Sequence, residues 1–291
     1  MSLLDELDNW PKSQYLDTVG SWLWLLQQLK AASDAGFCTA YDTETIGCDP
    51  EEETAVYWAR PVIWSIGIAD GDLTARGYRK ARGFVLPWQA LPVFQPWLRG
   101  DYGDVWAFNA RFDRHACKNL NIETAAPNGR SVVKDVLDYM RVLDPGHDSY
   151  GLKACTPRYL GYTMMGKFKD VFKLPRSREV QKKRKTCTWD ESHHVGEGRR
   201  KKCEVCDSLL RIETWTEVKQ LSDRFVPLQE VLGLTPSMEV TPGESELWPV
   251  AVTYAGLDAI ATAEQASMLP RPPYLGEFKG STAHAKIPEL D

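Results

Sequence analysis

No apolar run in these 291 residues approaches the roughly 18 that a membrane span requires; the longest, Trp22-Leu23-Trp24-Leu25-Leu26, has five. The N-terminus lacks a basic start and carries Asp5, Glu6 and Asp8 instead, which argues against a secretory leader and points to a cytoplasmic protein with no membrane partner. Cysteine is sparse: seven residues, an odd count, without the spacing of a small disulfide scaffold. Thiols or metal sites in a reducing compartment fit that usage better than a disulfide framework. No internal repeat is present. At 43% hydrophobic and 26% charged, the composition excludes disorder as the main state. The length suits one large domain or two modest ones.

The net charge of −5 argues weakly against a nucleic-acid partner, but its distribution does not. Residues 167–202 hold thirteen Lys/Arg and five Asp/Glu, a local charge of +8 that leaves −13 on the remainder. A basic block inside an acidic body combines a surface that can track phosphates with carboxylates that can hold metals.

Apolar spacing at Val19, Trp22, Leu26 and Leu29 predicts a helix over 19–32, ended by Ala35-Gly36. Strands are expected at 37–42, 62–69, 83–87 and 105–108, and helices at 91–98, after 108 through Leu120, at 135–143 and at 151–160. Helical pattern returns at 248–268, and the tail from Pro270 reads as extended. Strands first and interleaved helices after them give an α/β domain with a mixed sheet. Residues 163–215 are basic, bear Cys and His, and show little apolar periodicity.

Three acidic segments stand out. Asp42-Thr43-Glu44 ends the first strand, where residues i and i+2 share a face. Forty acids in 291 positions make such a pair unremarkable alone, since about five are expected by chance. Asn109-Ala110-Arg111-Phe112-Asp113 begins a helix, with Asn109 a natural N-cap and Asp113 in the first turn. Tyr254 and Asp258 lie at i and i+4 on one helix face. Four carboxylates can hold two divalent cations about 3.5–4 Å apart, clamping the attacking and leaving oxygens of a phosphodiester. Oxygen ligands favour Mg²⁺ or Mn²⁺, and a tyrosine one turn before the last aspartate can orient water.

In this order the segments resemble the three exonuclease motifs of the DEDD superfamily, and most of all the 3′–5′ proofreading domain of family A DNA polymerases, the Klenow type. Asp42 and Glu44 match the first motif, Asn109 and Asp113 the second, and Tyr254 and Asp258 the third. Thr253 occupies the position where the histidine variant carries its histidine, which marks the tyrosine branch. Asp135 to Met140, Leu143-Asp144-Pro145, Ser149 to Lys153 and Arg158 to Gly161 resemble intervening family helices. The resemblance covers about 36–162 and 248–268. It implies a ribonuclease-H-like mixed sheet flanked by helices, and hydrolysis of DNA from the 3′ end with release of nucleoside monophosphates. It also implies that Asp42, Glu44 and Asp258 bind one metal, that Asp42 bridges to a second supported by Asp113, that Tyr254 positions the nucleophile and that Asn109 organises the second motif near the substrate. The exonuclease domain would span 1–162 and 248–291, with a basic Cys/His insert at 163–247. No polymerase region follows the third motif, so a stand-alone enzyme or the proofreading subunit of a split replicase, with a DNA polymerase partner, is expected.

In the insert, Cys203-x2-Cys206 is a typical zinc knuckle. With Cys187 and either His193 or His194 it would close one structural Zn²⁺ site, a module at about 187–206 that could organise a segment lacking an apolar core. Lys182, Lys183, Arg184, Lys185, Arg199 and Arg200 flank these positions and are candidate phosphate contacts; Trp189 and Trp215 could stack on bases. Cys38, Cys48, Cys117 and Cys155 read as small buried side chains. Three functions remain open at this level: an exonuclease on a single-stranded DNA 3′ end, an exoribonuclease with the same chemistry, and a non-catalytic zinc-bearing nucleic-acid or replisome adaptor. The intact set of four acids argues against the last.

Overall fold

A computed structural model describes residues 7, 10–46, 59–125, 133–166, 171–189, 206, 210–235, 239–243 and 245–269, the side chains of 175, 183–187, 220 and 222 excepted. Cys48 and the tail from Pro270 lie outside the described residues. The contacts divide the chain into two compact units, Met1–Met165 with Leu228–Asp291, and Gly166–Pro227.

The first unit is built on a mixed six-stranded sheet. Its strands are β1 (Ser13–Tyr15), β2 (Cys38–Ile46), β3 (Arg60–Ala69), β4 (Arg82–Pro87), β5 (Val105–Ala107) and β6 (Val133–Asp135), in the order β1-β4-β3-β2-β5-β6. β3 is antiparallel to both its neighbours, β2 and β4; β5 runs parallel to β2, β6 to β5 and β1 to β4. This is the α/β mixed sheet flanked by helices that was expected. The short edge strands β1 and β6 carry too few residues for alternation to reveal them in sequence.

Helices cover both faces. Helix α1 (Val19–Asp34) starts at a capping box, in which the Thr18 side chain accepts from Ser21 N and the Ser21 hydroxyl accepts from Thr18 N. It buries Leu25, Leu29 and Ala32 and stops at Ala35, before Gly36 at φ 75°. Helix α2 (Leu91–Leu98) holds Pro92 in its first turn, where no N–H is needed, and carries Pro96 in its interior. Leu25, Leu29, Leu91, Phe94 and Trp97 pack with Tyr41, Trp64, Ile66 and Ile68, joined by Ala110 and Cys117 of α3 (Ala110–Lys118). On the opposite face, α4 (Val136–Leu143), α5 (Leu152–Tyr159) and α7 (Trp248–Met268) join Cys38, Ala40, Ala69 and Trp106. The short α6 (Leu228–Val231) also belongs to this unit. Leu228, Val231, Leu232 and Leu247 are buried, so 228–247, expected in the insert, carries core residues of the first unit. Cys38, Cys117 and Cys155 are buried and form no disulfide.

The second unit holds a two-stranded antiparallel ribbon, β7 (Lys173–Cys187) and β8 (Leu210–Phe225), registered from Lys173 opposite Phe225 to Cys187 opposite Leu210. The weak apolar periodicity of 163–215 predicts no such ribbon. Ile212, Trp215, Val218 and Leu221 are exposed, so the strands bury neither face and leave no apolar alternation to read.

Helix α7 lies against β2 and β3 at very short range. A Cβ on Gly67 of β3 would stand 2.2 Å from the Ala259 carbonyl oxygen, and one on Gly256 of α7 would stand 1.8 Å from Ser13 Oγ. Only glycine fits at Gly67, because the obstacle is backbone. Gly67→Ala is therefore expected to destabilise the protein by about 1–3 kcal/mol and to weaken divalent-cation binding as α7 is displaced. Gly20→Ala in α1, where a Cβ meets nothing within 4 Å, should be neutral or mildly stabilising. Chemical denaturation and a cation titration of both variants check this; unchanged behaviour of Gly67→Ala would contradict the packing account.

Candidate active site

On β2, alternate residues face opposite helix layers. Thr39 accepts from Trp97 Nε1 of α2 at 3.1 Å, and Tyr41 packs in the same layer. Ala40 lies in the α7 layer, and Asp42 and Glu44 follow it in register. Asp42 pairs with Ser65 of β3, whose hydroxyl donates to the Ala255 carbonyl of α7 at 2.8 Å. That bond fixes the turn of α7 that carries Tyr254 and Asp258. The outcome is a carboxylate cluster: ligand oxygens of Asp42, Glu44 and Asp258 lie within 4.8 Å of one another. Three oxygen donors at that separation suit one hard divalent cation.

The cluster is electrostatically strained. Burial by the surrounding protein is the largest cause of the upward pKa shifts, followed for Asp42 and Glu44 by neighbouring carboxylates. Glu44 is pushed up to about 8 and Asp258 to about 6, while Asp42 rises well above the ordinary aspartate range. Lys153 of α5 opposes the rise at all three acids. Its Nζ donates to the Tyr254 hydroxyl at 2.8 Å and lies 4.4 Å from that ring's centroid. Tyr254 is nearly buried, and burial followed by Glu44, Asp258 and Asp42 raises its pKa further, keeping the phenol protonated.

Asp113 stands apart from the three. Thr43 points to the other face of β2, and its backbone N and Oγ1 both donate to Asp113 Oδ1, at 3.0 and 2.6 Å. Burial lifts Asp113 to about 7 against those two hydrogen bonds. Asn109 occupies the N-cap position of α3, but with a left-handed backbone (φ 60°, ψ 49°) and no capping bond from its side chain. The cap comes from Asp135, whose carboxylate accepts from Asn109 N, Ala110 N and Leu137 N, each at 2.9 Å. One carboxylate thus closes the N-termini of α3 and α4. Lys153 and Thr43 are not evident from the sequence; each lies inside a motif, but nothing about its type or spacing marks it.

In the ribbon, Lys182 pairs with Glu217 at 3.1 Å. Lys183, Arg184, Lys185 and Cys187 are backbone positions of β7, with side chains outside the described set. His193, His194, Arg199, Arg200 and Cys203 lie outside the described residues, and Cys206 is half-buried. The expected zinc set therefore falls largely beyond what the structure describes.

The raised acids set a pH dependence. The folded chain holds their protons more tightly than the unfolded chain, whose carboxylates titrate near 4, so stability of the cation-free protein falls as pH rises from about 4 to about 8. A bound cation displaces those protons, so the rise in Tm on adding Mg²⁺ or Mn²⁺ should grow across the same window and shrink in Asp258→Asn. Thermal melts across that range, with and without the cation, check this; a cation effect that is largest at low pH would overturn it.

No protein-family model and no curated protein matches the chain. Among solved structures it is similar to the POL domain of Pol1 from M. smegmatis in complex with DNA primer-template and dNTP, at 16% identity and a TM-score of 0.37, over 53% of this chain and 23% of that one. It is similar to Brucella melitensis NrnC with bound Mg²⁺, at 18% identity and a TM-score of 0.33, over 45% of this chain and 56% of that one. It is also similar to the apo form of a nuclease, at 15% identity and a TM-score of 0.34, over 53% of this chain and 62% of that one. The chain thus spans less than two thirds of each of these structures.

Proposed function

We propose that the protein is a divalent-metal-dependent 3′–5′ exonuclease acting on DNA. The observation that carries the proposal is the meeting of Asp42, Glu44 and Asp258, from a central strand and a distant helix, within 4.8 Å. Bound Mg²⁺ or Mn²⁺ would supply Lewis-acid activation of water and neutralise charge at the phosphodiester. Asp42, Glu44 and Asp258 would hold one cation. Asp113, fixed by Thr43, would support a second through Asp42.

The other residues act on protons and orientation. Tyr254 is protonated and accepts a hydrogen bond from Lys153, which fixes its hydroxyl toward the acids so that it can orient an attacking water. Lys153 keeps the acids closer to their ionised, ligating form by opposing their upward shifts. Helix α3 turns Arg111, Arg114, His115 and Lys118 to a cavity of about 300 Å³, a cationic surface suited to phosphates next to Asp113 in sequence. Asn109, Lys182, Lys183, Arg184, Lys185, Arg199 and Arg200 are proposed as substrate contacts. Cys187, Cys203, Cys206 and one of His193 and His194 are proposed as a structural zinc site. The polarity, the DNA substrate and a polymerase partner rest on the motif resemblance.

Digestion of end-labelled DNA and RNA ladders tests the proposal. Wild type should release mononucleotides from the 3′ end of DNA with Mg²⁺ or Mn²⁺, and Asp42→Ala should release none. Tyr254→Phe should lose about 10²-fold in rate at unchanged cation affinity. An active Asp42→Ala would overturn the proposal, and a clear preference for RNA would replace its substrate. Lys153→Gln should move the acidic limb of the pH–rate profile upward, since the acids then hold protons to higher pH. A fall in rate with no shift of that limb would contradict the role given to Lys153.

A further inference from the structure

Charge is divided unevenly between the strands of the second unit. β7 carries seven Lys/Arg and one acid, whereas β8 carries three of each. The register places Arg178 directly opposite Lys219, with Arg176 two residues away on the same face. Like charges opposite one another weaken an antiparallel pair. Of the three β8 acids, Glu217 is engaged by Lys182 and Glu213 by Arg211, and among the described residues Asp223 forms no ion pair with Arg176, Arg178 or Lys219. Among the described residues, Arg176, Arg178 and Lys219 have no ion-pair partner. A two-stranded ribbon exposed on its faces has little cohesion of its own, so a repulsive cation pair there calls for an anion.

We infer that the β7–β8 ribbon is an arm that grips double-stranded nucleic acid, with Arg176, Arg178 and Lys219 on its phosphates. This deepens the proposed nuclease function and rests on its nucleic-acid reading. Alternate residues on a strand are about 7 Å apart and paired strands about 5 Å apart, so the three cations form a compact triangle rather than a single file. A two-stranded ribbon is of a width that the major groove of a duplex, about 12 Å across, admits. A single-strand track instead uses successive aromatic platforms. Among the described side chains, Trp215 is the one aromatic that shares the face of Arg176, Arg178 and Lys219.

Fluorescence anisotropy of the full-length protein tests the inference. The probes are a short DNA duplex with phosphorothioate-blocked ends and a single strand of equal length, each titrated with salt. The triple variant Arg176→Ala/Arg178→Ala/Lys219→Ala should lose about 10- to 100-fold in duplex affinity, and its log–log salt slope should become shallower by about 2–3. The charge-preserving variant Arg176→Lys/Arg178→Lys/Lys219→Arg should stay near wild type. Ser177→Ala/Thr216→Ala, on the opposite face, should not change affinity. Unchanged duplex affinity in the triple-alanine variant would overturn the inference, as would single-strand binding that matches the duplex and falls equally. Asp42→Ala separates the two proposals: it should abolish nucleotide release and keep duplex affinity. A result that sinks the arm therefore leaves the nuclease standing, and the reverse.

Discussion

Asp258 can stand beside Asp42 and Glu44 because nothing separates α7 from β3. The Ala259 carbonyl lies where a β-carbon on Gly67 would be, and Gly256 lets the helix settle over Ser13. Ser65 then donates to Ala255 O, which removes the freedom of the helix to rotate on the sheet. Nearly every residue of the helix from Val250 to Ala266 is buried, so its position is set by packing on all sides rather than by one amphipathic stripe. The separation of the acids is therefore a property of backbone contact. Side-chain rotamers refine it but do not create it.

That rigidity is set against electrostatics. Three carboxylates share a low-dielectric cleft with only partial relief from Lys153, an arrangement that a selection for stability alone would remove. Such conflicts concentrate where a ligand resolves them. The acids are also not equivalent. Asp258 is lifted least among those with a resolved value, opposed only by Lys153, whereas Glu44 also feels Asp258 and Asp113. Asp113 reaches a middle value by another route: its burial is offset in part by two donors from Thr43. Cation binding by this cluster would therefore compete with its protons, most of all at Glu44.

What was legible in the sequence follows the same physics. Strand β2 and helix α7 announce themselves because each combines apolar residues with polar ones at the spacing of its own period, two acids on β2 and a tyrosine and an aspartate on α7, so Asp42, Glu44, Tyr254 and Asp258 stand out without coordinates. Lys153 and Thr43 do not, because their roles depend on which elements meet in space. Gly67 is equally silent: a glycine within an apolar strand carries no sign of the helix it admits. The ribbon was illegible for the opposite reason. Periodicity reports burial of one face, and β7 and β8 expose the residues that would have shown it. Basic composition set the segment apart from the rest of the chain but said nothing of its shape.

The second motif shows how far a residue pattern can hide its cause. The spacing of Asn109 and Asp113 reads as an N-cap followed by a first-turn acid, yet the Asn109 side chain makes no capping bond. What the position requires is a left-handed backbone between β5 and α3, which asparagine tolerates better than most residues. Asp135 supplies the cap from the neighbouring strand and reaches Asn109 N and Ala110 N while also starting α4. The direction in which α3 leaves the sheet, and with it the approach of Asp113 to Thr43, is therefore set jointly by a turn residue and by a carboxylate 26 positions away. Replacing the asparagine alone would remove a conformational preference, whereas replacing Asp135 would leave three backbone N–H groups without their acceptor. The geometry of the acid in this motif depends more on the second than on the first.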